Sequence, residues 1–407
     1  MKGDTAHTRA RDVARAAYGK LVAMLACRSG DIIAAEDALA DAFVAALTTW
    51  PERGIPNNPE AWLLTVAKNR HIDHVRKNAR LVVTDEVPDM TDPMLSAAHD
   101  SGAEGDERLK LLFVCAHPAI DTSVRTPLML QTVLGLDAHH IAQAFLVSPS
   151  AMAQRLVRAK RKIKAARIPF TVPDPESHPE RMDAVLEAVY GAYAVDWLEG
   201  QGDLSHEAFF LSALLADLAP EHPEALGLAA LIGFIEARRD ARVIHGTLVP
   251  VPEQDTALWD ASLMERSTAL LNRAARAKQV GRFQLEAAIQ SVHAARATTG
   301  RTHWRALSQL YAGLVRHHPT IGAAVSRAAV VAEDAGPAQG LALLETIAFP
   351  GLDQYQPAHA VRARCLAGMG RTADAVEAYA KAIALCQDAP SRRWLEAKMT
   401  ALQNTMT

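Results

Sequence analysis

Along the 407-residue chain, apolar residues recur at three- and four-residue spacing through nearly the whole length. Alternating runs of Val, Ile, Thr and Tyr are scarce, so the pattern predicts helices almost everywhere and very little sheet. The period breaks in a few places. "WPERGIPNNPEAW" interrupts the first helical segment, 1–80, with a turn. Residues 81–108, "LVVTDEVPDMTDPMLSAAHDSGAEGDER", are acidic, contain Pro and Gly and sustain no period, which reads as a flexible linker. Helical spacing returns over 109–170. Three prolines in "TVPDPESHPE", 171–180, mark a second boundary, and 181–407 reads as one long helical array. The expected class is all-α.

Within the array, "AHAVRARCLAGMGRTADAVEAYAKAIALC" resembles one tetratricopeptide unit. Ala363, Ala375 and Ala382 fall where paired helices touch, Tyr379 fills the groove between them, and "GMGR" supplies the turn. One unit cannot bury its own face, so "GRFQLEAAIQSVHAAR" and "GPAQGLALLETIA" are candidate helices of neighbouring units.

Composition narrows the function. Four scattered cysteines without a CxxC pair offer neither a disulfide framework nor a zinc site, which suits a reducing compartment. No apolar signal core opens the chain and no run approaches a membrane span, so a cytoplasmic protein without a membrane partner is expected. "HEAFFL", "EHPEAL" and "VRHHPTI" lack HExxH spacing, and no catalytic constellation, metal site or cofactor motif is evident. The cluster "EQDTALWD" fits two readings, a groove for a ligand or partner, and a Trp259 that packs between helices.

The net charge is only -3, yet "SPSAMAQRLVRAKRKIKAARIPF" carries seven basic residues and no acidic one. Just upstream, Asp137 can cap a helix carrying Ile141, Ala142 and Phe145. "LVSPS" then breaks it, and Ser148 with Pro149 opens a second helix. That helix buries Met152, Leu156 and Ile163 and leaves Gln154, Arg155, Arg158, Lys160, Arg161 and Lys162 for solvent. A solvated face explains a basic helix alone, but a short helix, a tight turn and a basic second helix together form a helix-turn-helix.

A second basic surface lies in "NPEAWLLTVAKNRHIDHVRKNAR". Trp62, Leu63, Val66 and Ile72 point to a core and leave Lys68, Asn69, Arg70, Arg76, Lys77 and Arg80 outside. Upstream, "DIIAAEDALADAFVAAL" sets Asp37 and Asp41 beside Phe43. This acidic-apolar face repels DNA and suits a basic protein partner, although an ordinary surface helix fits it as well.

In combination, "AEDALADAF", "PEAWLLTVAKNRHIDHVRK" and "GLDAHHIAQAFLVSPSAMAQRLVRAKRKIK" resemble regions 2 and 4 of bacterial extracytoplasmic-function sigma factors. "LLFVCAHPAI", "VPEQDTALWD" and "YQPAHAVRARCLAGMGR" narrow the resemblance to the subgroup with a large tetratricopeptide-like C-terminal extension. Where that subgroup carries an Asn-Glu-Gly-Tyr-like sequence, this chain reads "VYGAYAVDWLEGQG".

The resemblance implies a region 2 domain at 1–80, a linker at 81–108, a region 4 domain at 109–170, a Pro-rich linker at 171–180 and a regulatory helical domain at 181–407. It implies that Asp37, Asp41 and Phe43 dock the clamp helices of the RNA polymerase core, whose flap would receive region 4. Lys68, Asn69 and Arg70 would read the separated strand of the -10 element, with Arg76 and Lys77 on phosphates. Ser150, Gln154, Arg155 and Arg158 would face the -35 element, with Lys160, Arg161 and Lys162 nearer phosphates. Asp85, Glu86, Asp89, Asp92, Glu104, Asp106 and Glu107 make the linker anionic, which suits a basic polymerase channel and a plain linker alike. The implied function is promoter-directed initiation, regulated by the helical-repeat domain and its protein or peptide partner. The alternative is a one-component regulator whose repeat domain senses a ligand or protein.

Overall fold

A computed structural model describes residues 2–78, 106–145, 147–173, 179–199 and 203–405. Among them are 20 helices and one two-stranded hairpin, the all-α outcome that the apolar spacing predicts. The chain divides into two compact units, Met1–Leu218 and Ala219–Thr407.

The first unit opens with α1 (Lys2–Ser29), α2 (Ile32–Arg53) and α3 (Pro59–Asn78). Asp31 starts α2 by accepting from the Ile33 and Ala34 amides at 3.1 and 3.2 Å. Its core stripe, Ile32, Ala35, Leu39, Ala42 and Ala46, repeats at helical spacing and is buried. The expected turn between α2 and α3 is present, and the Trp50 and Trp62 rings close the core across it edge to face at 5.6 Å.

Next come α4 (Glu107–Cys115), α5 (Thr122–Thr132), α6 (Ala138–Ala144) and α7 (Pro149–Ala165). Residues 79–105, which hold most of the expected linker, lie outside the described residues. Asp106 and Glu107 do not belong to a linker. Asp106 caps α4 through the Arg108 amide at 2.8 Å, and Glu107 pairs with Lys110 at 3.1 Å.

Two further helices, α8 (Pro179–Glu199) and α9 (Asp203–Leu218), fall in the first unit, whereas the sequence reading begins a separate array at 181. Their apolar spacing explains this. Met182, Val185, Leu186 and Val189 form a stripe at most 1% exposed, and α8 packs against α4 and α5. Arg181 donates to the Phe113 carbonyl oxygen and lies over the Phe113 ring at 5.9 Å. Arg108 bridges Asp106 at 2.7 Å and Glu207 of α9 at 2.6 Å, with its guanidinium 4.6 Å from the Phe210 ring centre. The prolines at 171–180 therefore separate helices rather than units.

The second unit begins with α10 (Pro223–Glu236), whose residues from Ala225 to Phe234 are all buried. The short α11 (Arg239–Arg242) leads into the hairpin β1 (Val243–Ile244) and β2 (Thr247–Leu248). Then follow α12 (Ala261–Arg276), α13 (Arg282–Ala294), α14 (Arg296–Thr299) and α15 (Trp304–His317). The series ends with α16 (Ile321–Asp334), α17 (Pro337–Glu345), α18 (Gln356–Gly368), α19 (Thr372–Leu385) and α20 (Ala389–Asn404). Glu224 of α10 caps α13 from outside, accepting from the Phe283 and Gln284 amides at 2.8 and 3.1 Å.

The α18–α19 pair matches the tetratricopeptide reading. Ala363, Ala375 and Ala382 are 0% exposed, Tyr379 is 4% exposed, and Gly370 takes the left-handed turn at φ 75. The two candidate neighbours are α13 and α17. At the far end, α20 packs back on β2, where Arg393 donates to the Gly246 carbonyl oxygen at 2.7 Å.

"EQDTALWD" is a packing element. Trp259 is 7% exposed, with the Arg296 and Arg238 guanidinium groups 5.0 and 6.0 Å from its ring centre. Burial and then the charges of Arg238 and Arg296 lower the His293 pKa to about 4, and the Trp304 ring stands edge-on 6.4 Å away.

Two outcomes follow from this packing. A fragment ending at Phe170 loses α8 and α9, and each large apolar side chain so uncovered forfeits about 1.5–3 kcal/mol. It should unfold well below a fragment ending at Leu218 in thermal melts, or aggregate. His293 in the unfolded chain titrates near ~6.5, so below that pH the unfolded state takes up a proton that the native state refuses, and stability falls as pH drops toward about 4. From pH ~7 to ~5 the second unit should lose about 2 kcal/mol in urea unfolding, and His293→Gln should flatten that slope.

Candidate nucleic-acid interface

The helix-turn-helix is built as its sequence directs. Asp137 caps α6 through the His139 and His140 amides at 2.7 and 3.0 Å. Ile141 and Ala142 are buried, but α6 ends at Ala144, so Phe145 falls beyond it and is 39% exposed rather than facing the core. Ser148 caps α7 by accepting from the Ala151 amide at 3.3 Å, and Pro149 occupies its first turn.

At about 100° per residue, the positions of α7 sort into faces. Met152, Leu156, Ala159 and Ile163 form the buried stripe. Opposite it stand Gln154, Arg158 and Arg161, all exposed, with exposed Arg155 and Lys162 on one shoulder and exposed Ser150 in the first turn. An outward row of an amide and two guanidinium groups suits base edges and phosphates.

The other shoulder departs from expectation. Lys160, read as a phosphate contact, is 6% exposed and donates to both Glu36 carboxylate oxygens at 2.6 and 2.7 Å. Position 160 borders the buried stripe, so its stem is covered and its amine finds the acidic start of α2. Lys164, not singled out from sequence, pairs with Asp31 at 2.6 Å. Burial alone would raise the Asp31 pKa, but the Lys164 hydrogen bond and the Ala34 and Ile33 amides outweigh it and hold the carboxyl below its ordinary value.

On α3, Lys68 and Asn69 are half-buried and Arg70 is exposed. Burial and the nearby charge of Arg28 lower the Lys68 pKa. Arg76 and Lys77 lie in the last turns of α3, but their side chains, like that of Ile72 and all of Arg80, fall outside the described residues.

The α2 face carries more than the sequence suggested. Asp37 and Asp41 are exposed and Phe43 is half-buried. Beyond them along the helix Val44 and Leu47 are 62% and 39% exposed, an apolar strip turned outward on the C-terminal side of both carboxylates. The signal was present: once Leu39, Ala42 and Ala46 take the core, Val44 and Leu47 must point away. Of the remaining groups, Cys115 is wholly buried, and burial pushes its thiol up to about 12. Among the described residues no cluster of three metal-binding side chains occurs, and no helix is long and apolar enough to cross a membrane.

Residues 10–81 match the family model described as Sigma-70 region 2, and residues 181–275 match one described as a family of unknown function, DUF6596. The first match covers α1 to α3. The second begins on α8 and runs into α12. A relative, an uncharacterized protein of Rhizobium meliloti (strain 1021), is 36% identical over 380 residues covering 90% of each chain.

Proposed function

Because the chain belongs to the sigma-70 family of transcription initiation factors, we propose that it directs the RNA polymerase core to promoters of the extracytoplasmic-function type. In this reading α7 takes the -35 element, with Gln154, Arg155 and Arg158 toward base edges and Ser150, Arg161 and Lys162 toward phosphates. Asn69, with Lys68 and Arg70, takes the opened -10 strand, and Arg76 and Lys77 hold its backbone. Asp37, Asp41 and Phe43, joined by Val44 and Leu47, dock the polymerase clamp. The observation that carries the proposal is the outward row Gln154, Arg158 and Arg161 on a capped helix seated over a buried stripe. The acidic-apolar strip of α2 favours this reading over a one-component regulator, which binds an operator without polymerase and has no use for such a strip. The helical-repeat unit would act as regulator, in the cytoplasm with the polymerase, and a protein or peptide is the partner that suits such an array.

The deciding experiment is transcription with purified core polymerase on promoter fragments selected for use by the chain. Promoter-specific initiation that requires the core supports the proposal, and equal DNA selectivity without the core refutes it. Arg158→Ala should cost about 1–3 kcal/mol in -35-dependent initiation, while co-purification with the core is unchanged. Asp41→Arg should do the reverse, impairing assembly through repulsion with little effect on duplex binding.

A further inference from the structure

Side chains near helix ends usually oppose the backbone dipole, with carboxylates at the first turn and cations at the last. The α15–α16 pair does the reverse at one of its ends. These helices, each of 14 residues, are joined by the short turn 318–320 and pack along each other. The start of α15 therefore stands beside the end of α16. Arg301, His303 and Arg305 crowd the start of α15, where the dipole is already positive. Glu333 and Asp334 close α16, where it is negative. Each placement is unfavourable locally, and both sets of side chains line one open cleft of about 590 Å³ together with the half-buried Trp304. Residues that break a local rule without local compensation are where function is sought first.

The charges on the two walls do not cancel each other. Glu333 pairs with Arg364 of α18 at 2.8 Å, whereas Arg301, Arg305 and Asp334 have no ion-pair partner among the described residues. No side chain caps α15, and the Arg305 and Ala306 amides meet no acceptor among the described residues. One wall thus offers open amides and guanidinium groups, and the other offers a carboxylate. The volume falls within the range of roughly 300–1,000 Å³ that suits small-molecule ligands.

We infer that this cleft binds a free acidic α-amino acid, L-glutamate or L-aspartate. Spacing selects the α-amino acid. Packed helices lie about 8–10 Å apart between axes, and a hydrogen bond of ~2.9 Å at each wall leaves about 3 Å between the ligand's opposite charges. The N–Cα and Cα–C bonds of an α-amino acid set a separation of roughly that size, whereas a peptide adds about 3.3–3.6 Å for each further residue. Charge selects the acidic side chain, because the unpaired groups are Arg301 and Arg305 against Asp334. The α-carboxylate accepts from the Arg305 and Ala306 amides, as anions do at helix starts, and the ammonium donates to Asp334 with Glu333 beside it. The side-chain carboxylate takes the Arg301 guanidinium, whose planar fork matches it. The site lies wholly in the second unit and is independent of the promoter-directed reading.

The test is calorimetric titration of the full chain with L-glutamate and L-aspartate, beside glutarate, which lacks the ammonium, and L-glutamine, which lacks the second carboxylate. At least one of the two acidic amino acids should bind about tenfold or more tightly than both analogues, and saturating it should raise the unfolding temperature of the second unit. Asp334→Asn should weaken that amino acid about tenfold and leave glutarate unchanged. Arg301→Gln should bring its affinity down to that of L-glutamine. Both substitutions fall on exposed positions, and an unaltered melting temperature without ligand shows that the fold is kept. Absence of binding by both acidic amino acids at millimolar concentration overturns the inference. So does glutarate that binds as tightly as they do, which marks a merely cationic surface, and so does a full-strength response in Asp334→Asn. Failure of the sigma-factor reading would show separately, as a chain that initiates nothing with core polymerase whether or not it binds these ligands.

Discussion

From Leu109 to Ala116 only Lys110 keeps contact with solvent, so beyond its first turn α4 has no outer face and must be covered all round. A helix of this kind cannot be stable alone, and its neighbours are fixed by the need to enclose it. α1 covers it from the N-terminal bundle, α5 from the helix-turn-helix side and α8 from the following segment. The first unit is organised around that enclosure. It explains why α8 and α9 belong with the first seven helices, and why polar anchors gather at the ends of α4. Asp106, Arg108 and Glu207 secure one end, and Arg181 meets the Phe113 carbonyl near the other.

What the sequence disclosed was local. The Asp137 and Ser148 caps, the buried stripe of α7, the turn between α2 and α3 and the small-residue contact of α18 with α19 are all written within a few residues of where they act. What it did not disclose was the choice of distant partners. Arg108 meets Glu207 across 99 positions and Lys160 meets Glu36 across 124, and no local period encodes such pairings. The misplacement of Lys160 is instructive. A lysine beside an apolar stripe can snorkel to water or turn to a carboxylate, and only the neighbouring helix decides. Val44 and Leu47 are the opposite case, legible in the helical period but concealed by the expectation that apolar residues face inward.

Charge is segregated rather than scarce. A net charge of -3 conceals a helix with seven cations in its vicinity and a neighbouring helix whose carboxylates divide between two directions. Asp31 and Glu36 turn toward α7, whereas Asp37 and Asp41 turn outward. One helix thus supplies counter-ions to its own chain from its first turns and turns an acidic-apolar strip to solvent. The DUF6596 match, which begins on α8 and continues into α12, runs across both units, so that family's sequence pattern includes the cover of α4 as well as the start of the helical array.

In an open stack of helical pairs, each member touches only its neighbours, and the outermost pairs fray first because they are held on one side. The second unit departs from that arrangement. Arg393 of α20 binds the Gly246 carbonyl oxygen in the hairpin, and Lys398 approaches Glu253 at 3.7 Å. With its last helix fastened near its first, the array has no free end at which unfolding can begin cheaply. Loss of any one pair then strains the closure, so the helices from α10 to α20 should give way in a single cooperative step rather than peel off in sequence.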